Sequence, residues 1–332
     1  MAVYTTIDYP QQYFQAVLYT GNETNRTITL DDTDANTDPD FVWIKARNDA
    51  NSHELFDSVR GVQKPLYTDS NGAEGSTSDS LTAFNTDGFD LGAGGGINGT
   101  NDTLVAWCWK ESATAGFDIV SYTGNNSNRT ISHSLSAVPK MMIIKRRTGT
   151  ATAWLVYHAS VGATKGLNLN TTATPDDAAT YFQDTVPSSS VFTLGATGEV
   201  NADGATYINY LFTSKLGFSK FGLFVGNGNA NGTFVHTGFK PSFVLCKNTG
   251  NSGAQWLMVD NKRVGINPIQ HYVQSNASTA EGSDTANFDF LSNGFKCRST
   301  NSWSNQSGYN IIYMAFAESP FVNSKGVCNN AK

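Results

Sequence analysis

The sequence predicts an all-β protein built from three tandem antiparallel β-sandwich domains of an immunoglobulin-like or jelly-roll-like kind. Three observations lead to this prediction. The chain contains 31 glycines and only 15% charged residues, its apolar runs are short and separated by Gly, Asn, Ser and Asp, and one order of landmarks occurs three times. Helical proteins usually carry more Lys, Glu and Leu, whereas this balance is typical of short strands joined by turns. We therefore expect very little helix.

The repeated segment is clearest over residues 117–147, FDIVSYTGNNSNRTISHSLSAVPKMMIIKRR. It predicts a strand, a Gly-Asn turn, a second polar strand, and a proline leading into an apolar strand that ends on lysine. Related segments occupy residues 13–47 and 221–248. Because the apolar strand has almost no polar position, we expect it to be buried on both faces, with the lysine at its mouth.

Several landmarks keep their phase through the copies. In each copy the lysine follows the proline by six residues, in the pairs Pro39 and Lys45, Pro139 and Lys145, and Pro241 and Lys247. Phe89, Phe192 and Phe295 are separated by 103 residues each time. This period exceeds the roughly 20 to 50 residues of a solenoid repeat and matches the size of a domain with its own core.

The landmarks divide the chain into three sandwiches and a tail. The predicted boundaries are 1–112, 116–214 and 220–319 for the sandwiches and 320–332 for the tail, with seven or eight short strands in each sandwich. Short links between the domains favour a stiff rod, about 100 Å long if the domains stack end to end.

Charge and cysteine spacing argue against several classes of function. The net charge is −6 and the isoelectric point is near 5.3, so we expect no basic surface for nucleic acid. No apolar run approaches the roughly 18 to 20 residues of a membrane span, so we expect no membrane insertion. The cysteines show no metal-binding spacing and are expected as free thiols, with disulfides left open; they are Cys108, Cys246, Cys297 and Cys328.

No catalytic motif is recognisable. The histidines show no fixed position in the three copies, and neither a nucleophile elbow nor a His-Glu-x-x-His motif is present. They are His53, His133, His158, His236 and His271. We therefore predict that the protein is not an enzyme.

An acidic loop in the first copy is a candidate cation site. Its carboxylates could supply hard oxygen ligands for Ca²⁺, and they are Asp31, Asp32, Asp34 and Asp38. Tyr19 and Pro39 are 20 residues apart, three more than the matching residues of the other copies. The spacing is not that of an EF-hand, so a solvated insertion is the alternative, and we predict no other cofactor.

A polar loop near the end of the third copy is a candidate ligand site. Its residues are Asn301, Trp303, Asn305 and Tyr309. A tryptophan among amides can stack on a sugar ring while the amides bond the hydroxyls. The alternative is that Trp303 fills an interface with a neighbouring domain or protomer. The other aligned tryptophans are expected in the core, and they are Trp107, Trp109, Trp154 and Trp256.

Taken together, the repeated motifs resemble a known group of proteins. The motifs are YTGN, NRTI, the proline six residues before a lysine, and the closing strands LVAWCWKES and IIYMAFAES. They resemble the tandem β-domains of virion proteins from marine tailed phages, including cyanophages, which are labelled tail fibre or structural protein. The start MAVYTTIDYPQQYF and the phrase GFSKFG at 217–222 add to a likeness that covers essentially the whole chain.

The resemblance implies a virion protein that is assembled in the host cytoplasm and displayed on the particle exterior. Expected partners are other virion proteins and a host cell-surface glycan or protein, within a homo-oligomer for which a trimer is favoured. Two alternatives stay open: a capsid decoration or tail-scaffold protein, and a polysaccharide-degrading spike. Because the shared motifs are structural, we expect binding residues where the copies differ, in the acidic loop and the Trp303 loop.

Overall fold

A computed structural model of the chain describes residues 4–30, 37–283 and 288–328, and this part is all-β. Repeat 1 contains β1 Phe14–Thr20, β2 Arg26–Thr29, β3 Phe41–Ala46, β4 Glu54–Asp57, β5 Leu66–Tyr67, β6 Leu81–Asn85, β7 Gly88–Leu91 and β8 Thr103–Trp109. Repeat 2 contains β9 Phe117–Thr123, β10 Arg129–Ser132, β11 Met141–Arg146, β12 Leu155–His158, β13 Lys165–Asn168, β14 Asp176–Asp177, β15 Val191–Leu194 and β16 Thr206–Phe212. Repeat 3 contains β17 Ser219–Val225, β18 Phe234–His236, β19 Phe239–Asn248, β20 Trp256–Asp260, β21 Val273–Gln274, β22 Phe288–Leu291, β23 Gly294–Cys297 and β24 Asn310–Pro320.

The helices of the described chain are single turns. They are a 3₁₀ turn Pro10–Gln12, α1 Gly95–Asn98, α2 Ala179–Phe182 and α3 Gly198–Asn201. In the described ranges, no helix has the length and apolar character needed to cross a bilayer. The prediction of an all-β protein with little helix is confirmed.

Each repeat forms a large and a small antiparallel sheet. In repeat 1 the large sheet has the order β1-β8-β3-β4-β5 and the small sheet β2-β7-β6, and repeat 3 has the same order with β17-β24-β19-β20-β21 and β18-β23-β22. Repeat 2 extends its large sheet by β14 and pairs only β10 with β15 in the small one. The first strand of each repeat pairs with its last. The immunoglobulin order places the first strand beside the second, so of the two predicted kinds of sandwich, immunoglobulin-like and jelly-roll-like, the repeats do not have the immunoglobulin order.

The central strand of each large sheet is buried on both faces, as the sequence predicted. In β3, Val42 and Ile44 point towards the small sheet and pack with Phe89 in a core that belongs to repeat 1. Phe41 and Trp43 point the other way, into a second core. Because side chains alternate across a strand, one apolar run serves both cores.

The second core is shared by all three repeats. Rings from repeats 1 and 3 meet at Phe14 and Phe243, with centroids 5.6 Å apart, and rings from repeats 1 and 2 meet at Phe41 and Tyr210, 4.5 Å apart. The sequence predicted a rod of domains with separate cores. The rod is not found, because the inner face of every large sheet is covered by the other two repeats instead of by solvent.

The links between repeats explain this arrangement. Gly116 and Gly217 both have a φ of +76°, in the left-handed region that favours glycine. Each lies in a tight turn closed by an antiparallel bridge, between Ser112 and Phe117 in the first link and between Lys215 and Ser219 in the second. A tight turn reverses the chain direction, so each repeat folds back against the one before it.

The terminal segments meet on repeat 3. Tyr4 Oη donates to the carbonyl of Gly238 at 2.8 Å, and the backbone N–H of Ser324 donates to Asp8 Oδ1 at 2.6 Å. Phe321 N–H also donates to the carbonyl of Gly238 at 3.2 Å, so residues 321–328 of the predicted tail dock on repeat 3 and on the N-terminal segment.

The predicted core residues are buried. Trp107, Trp109, Trp154 and Trp256 are at most 1% exposed. All four cysteines are free thiols, three of them buried and Cys328 exposed. The four tryptophans and the three buried cysteines therefore act in packing.

Candidate functional site

The interface between repeats 1 and 2 contains a buried ion pair. Strand β4 ends at Asp57, and the following turn brings Arg60 Nε against Asp57 Oδ2, with both side chains fully buried. The Tyr210 hydroxyl of repeat 2 donates to the same oxygen at 2.7 Å. Glu74 accepts from Arg60 Nη1 at 3.2 Å and from Arg147 Nε of repeat 2 at 2.8 Å. Burial alone would raise the pKa of Glu74, but these arginines lower it.

The interface between repeats 3 and 1 repeats this arrangement. Arg263 Nε lies 2.6 Å from Asp260 Oδ2, again with no exposed side chain, and Trp107 Nε1 of repeat 1 donates to that oxygen at 3.1 Å. Glu281 accepts from Arg263 Nη1 at 3.1 Å and from Arg47 Nη2 of repeat 1 at 3.0 Å. Buried charges need such complete pairing to be tolerated.

The interface between repeats 2 and 3 is neutral at the same positions. His158 and Val161 stand where the other repeats have the aspartate and arginine, and Met314 stands where they have the tyrosine or tryptophan donor. His158 Nε2 lies 3.3 Å from the carbonyl of Tyr313. Burial lowers the pKa of His158 to about 4, so the ring is neutral at physiological pH. In repeat 2 a histidine replaces the aspartate, and in repeat 3 a methionine replaces the hydrogen-bond donor that would face it. The two replacements therefore match across the interface.

A second set of hydrogen bonds also links each repeat to another. In each case a ring N–H meets the carbonyl at the end of the fifth strand, with Trp154 and Tyr67 2.9 Å apart, Trp256 and Asn168 3.0 Å apart, and His53 and Gln274 3.0 Å apart. Trp43 Nε1 donates to Nδ1 of His53 at 2.9 Å, so the imidazole proton resides on Nε2. The three repeats thus close into a ring.

Three lysines are more deeply buried than the sequence predicted. They lie inside the protein and not at a strand mouth, and they are Lys45, Lys145 and Lys247. Burial lowers the pKa of each to about 8. Each ammonium donates to two backbone carbonyls, those of Asn71 and Thr152 for Lys145, at 2.8 and 2.6 Å. An amine with such a pKa can act as a nucleophile when substrate reaches it, but these are at most 1% exposed.

Asn305, a predicted ligand-binding residue, is a buried clamp. Its Oδ1 accepts from the N–H of Asn227 at 3.0 Å, and its Nδ2 donates to the carbonyls of Asn229 and Ser299, each at 2.8 Å. Asn98 and Asn201 hold the Gly-Asn turns of the other repeats in the same way, through Asn22 and Asn125. The 103- and 104-residue spacing of these asparagines was the signal that sequence reasoning missed.

The other residues of that loop are placed as follows. Trp303 is half-buried and packs edge-on against Tyr272, with ring centroids 6.1 Å apart. Asn301 Oδ1 accepts from the backbone N–H of Trp303 at 2.7 Å. Tyr309 is partly exposed and lies beside Gly250. The structure brings Trp303 and Asn301 together, and it directs Asn305 inward to the Gly-Asn turn.

Of the predicted calcium ligands, only Asp38 lies within the described residues. Asp31, Asp32 and Asp34 lie outside them. Asp38 Oδ2 is 3.2 Å from Lys110 Nζ, so this carboxylate already has a cationic neighbour. Across residues 4–30, 37–283 and 288–328, no cluster of three or more His, Cys, Asp or Glu residues is arranged to hold a metal ion.

One loop of repeat 3 is longer than the matching loops of repeats 1 and 2. Ten residues separate Arg263 from Val273, whereas six separate Arg60 from Leu66 at the matching positions of repeat 1. Repeat 2 also has the shorter spacing, between Val161 and Leu167. The copies therefore diverge at a site that the sequence analysis did not single out.

The longer loop is held in a defined position. Asn267 Oδ1 accepts from the N–H of Phe290, and its Nδ2 donates to the carbonyl of the same residue, both at 2.9 Å. Ile269 and Phe288 exchange backbone hydrogen bonds of 2.6 and 2.9 Å. The side-chain amide of Asn267 thus bonds the edge of β22 as the backbone of a neighbouring strand would.

This loop forms one wall of an open cleft of about 470 Å³. Lys240, Asn261 and Glu318 also line the cleft. Lys240 Nζ lies 2.8 Å from Glu318 Oε2, and Asn261 Nδ2 donates to that oxygen at 2.7 Å. Ile266 lies on the loop wall and is 78% exposed. The cleft combines charged, amide and aliphatic groups.

Comparison with known proteins places the chain in one family. A family model described as a domain of unknown function, DUF7483, matches residues 9–320. The chain belongs to this family, and the match runs through all three repeats. No curated protein matches the sequence. Function must therefore be argued from the geometry.

Proposed function

We propose that this protein is a non-catalytic structural protein of a virus particle, of the tail-fibre or appendage type, that mediates attachment to the host surface. The proposal combines the resemblance of the repeated motifs to phage virion proteins with the construction of the three-repeat body. Its partners are other virion proteins and a host glycan or protein. Its location is the exterior of the particle.

The ring of interfaces is the observation that carries this proposal. Two interfaces are held by buried ion pairs, those of Asp57 with Arg60 and of Asp260 with Arg263, and the third by packing around His158. A body with a shared core holds the loops of its repeats in fixed relative positions. Rigid scaffolds that present variable loops are a common construction of binding proteins.

The ionisable groups support a role without catalysis. The three lysines of lowered pKa donate to backbone carbonyls, and His53 uses both ring nitrogens within the ring of interfaces. Perturbed pKa values occur both at active sites and in structural networks. Here the bonds of these groups are internal, which favours the structural explanation.

Labelling of particles and competition for host cells test the proposal together. Antibodies against the chain are expected to label an appendage on purified particles in electron micrographs. Host cells that have first been incubated with the purified protein are expected to adsorb particles more slowly. Absence of label from the particle would overturn the proposal.

A purely structural role, as a capsid decoration or tail-scaffold protein, is the second candidate. Repeat 3 exposes three apolar side chains on its edge strands β17 and β18, namely Leu223, Val225 and Phe234. At the last two positions, repeats 1 and 2 have threonine. Exposed apolar edges favour contact with another protein. Label on the particle without any effect on adsorption would favour this candidate.

A further inference from the structure

The charged groups of the repeat 3 cleft compensate each other. Both carboxylate oxygens of Glu318 lie within 3.0 Å of Lys240 Nζ. An anion entering the cleft would meet this carboxylate, and a cation would meet the ammonium at nearly the same distance. Since neither sign gains a net attraction, the cleft favours a neutral ligand.

The same groups retain capacity for hydrogen bonds. An ammonium has three donors and a carboxylate has about four acceptor positions. Among the residues that the structure describes, the Lys240 ammonium donates to Glu318, and the Glu318 carboxylate accepts from Lys240 and Asn261. A ligand with adjacent hydroxyl groups can use the remaining positions, because each hydroxyl both donates and accepts. The polar wall therefore suits a polyhydroxylated ligand.

The loop that lines the cleft supplies an apolar contact. Ile266 is the most exposed large apolar side chain of the described chain, and it is presented by the loop that Asn267 fixes to β22. An aliphatic side chain on a fixed loop can pack against the C–H groups of a sugar ring. Ligand sites typically combine such apolar walls with a few placed polar groups, in volumes of about 300 to 1,000 Å³, and this cleft has about 470 Å³.

We propose that the repeat 3 cleft binds a neutral saccharide, with Glu318, Lys240 and Asn261 bonding the hydroxyls and Ile266 covering an apolar face of the ring. The saccharide class follows from the chemistry of the cleft. Its source, a glycan on the host surface, rests on the attachment role proposed above.

Saturation-transfer NMR on the full chain tests the site. The probes are D-glucose, D-galactose, D-mannose and N-acetyl-D-glucosamine, each added separately. We expect at least one probe to bind the unmodified protein and to bind about tenfold more weakly to Glu318→Gln and to Ile266→Ser, as expected when one or two contacts are lost. Val186→Ser is the matched control, since Val186 is a 60% exposed aliphatic residue of repeat 2; this variant is expected to bind as the unmodified protein does.

The outcomes separate the site from the wider function. Absence of binding to all four probes, or equal binding by Ile266→Ser and the unmodified protein, would overturn the saccharide site. Ile266→Ser keeps the test decisive if Glu318→Gln unfolds, because the isoleucine is mostly exposed. If the unmodified protein attaches to host cells and Ile266→Ser attaches equally well, the attachment role stands and the cleft is not its site. If saccharide binds the cleft but the protein does not attach to cells, the site stands and the attachment role fails.

Discussion

Tyr210 of repeat 2 donates a 2.7 Å hydrogen bond to Asp57 of repeat 1, at a point where neither residue is exposed to solvent. Trp107 makes the matching bond to Asp260 across another interface. Where the third interface has His158 in place of the aspartate, the facing residue is a methionine with no N–H or O–H to donate. At these matched interface positions a donor therefore faces each buried aspartate, because a buried charge without hydrogen bonds is costly.

Replacement of Tyr210 by phenylalanine is expected to destabilise the protein. The change removes one donor from the buried Asp57 carboxylate and leaves the ring in place. We expect a loss of about 1 to 3 kcal/mol in the free energy of unfolding, measured by urea denaturation. Tyr309→Phe is the control, because that ring is partly exposed, and it should change stability by less than about 0.5 kcal/mol. Equal effects of the two changes would contradict the assigned role.

Replacement of Arg263 by methionine is expected to be more severe. It leaves the carboxylate of Asp260 buried without its cation, and breaking one side of a buried pair costs about 3 to 5 kcal/mol. Arg298→Met removes a more exposed pair with Asp289 and should cost less than about 1 kcal/mol. Thermal and urea denaturation measure both variants. A cost for Arg263→Met as small as that for Arg298→Met would show that the buried pair does not hold the interface.

The shared core predicts a single unfolding transition for the full chain. Rings such as Phe14, Phe41 and Phe243 belong to one cluster that all three repeats supply. Loss of one repeat would therefore expose the inner sheets of the other two. Calorimetry, tryptophan fluorescence and far-ultraviolet circular dichroism are expected to report coincident transitions. Three separate transitions would instead support independent domains.

The Gly-Asn turns should not tolerate a side chain at the glycine. A Cβ atom added to Gly124 would lie 2.0 Å from the carbonyl oxygen of Ala202. We expect Gly124→Ala to lower the melting temperature strongly or to abolish soluble expression, because backbone atoms on both sides would have to move. Gly253→Ala is the control, since the nearest atom there is 3.5 Å away. A melting temperature for Gly124→Ala within a degree or so of the control would refute the close packing of this turn.

Glu111 of repeat 1 and Asp118 of repeat 2 form a carboxyl pair, which predicts that the stability of the protein depends on pH. Burial, with a hydrogen bond to Asp118, raises the pKa of Glu111 from 4.5 to about 7. Because the folded state holds this proton more tightly, the stabilisation is complete below pH 4.5 and is lost as the pH rises through 7. Glu111→Gln mimics the protonated form. It should therefore stabilise the protein at pH 8, on the order of 1 kcal/mol after allowance for solvent screening, with little effect at pH 4.

Urea midpoints of both proteins between pH 4 and pH 9 measure this difference. Other groups with a raised pKa, such as Glu54, titrate in both proteins. The difference between the two curves therefore reports the titration of Glu111 alone. A constant difference across the range would contradict the prediction.

The sequence alone was sufficient for the strand-rich character, the aligned core positions and the doubly buried central strand of each repeat. Phe89, Phe192 and Phe295 keep one spacing because each packs in the outer core of its own repeat, between the large and small sheets. The apolar runs that open β3 and β11 indicated burial on both faces, because a strand with no polar position has no face for solvent. Local alternation and turn chemistry determine these features, and neither depends on distant residues.

The arrangement of the repeats and the role of the buried polar residues could not be predicted in this way. An apolar face indicates that a strand is covered but does not identify the covering element, so the sequence predicts separate domains in a rod. Asp57 and Arg60 resemble a surface turn until Tyr210, 153 positions along the chain, covers them. Asn305 resembles a ligand contact until Asn227 meets it inside the protein. These groups are charged or polar, and their burial is stable only because tertiary contacts supply their hydrogen bonds.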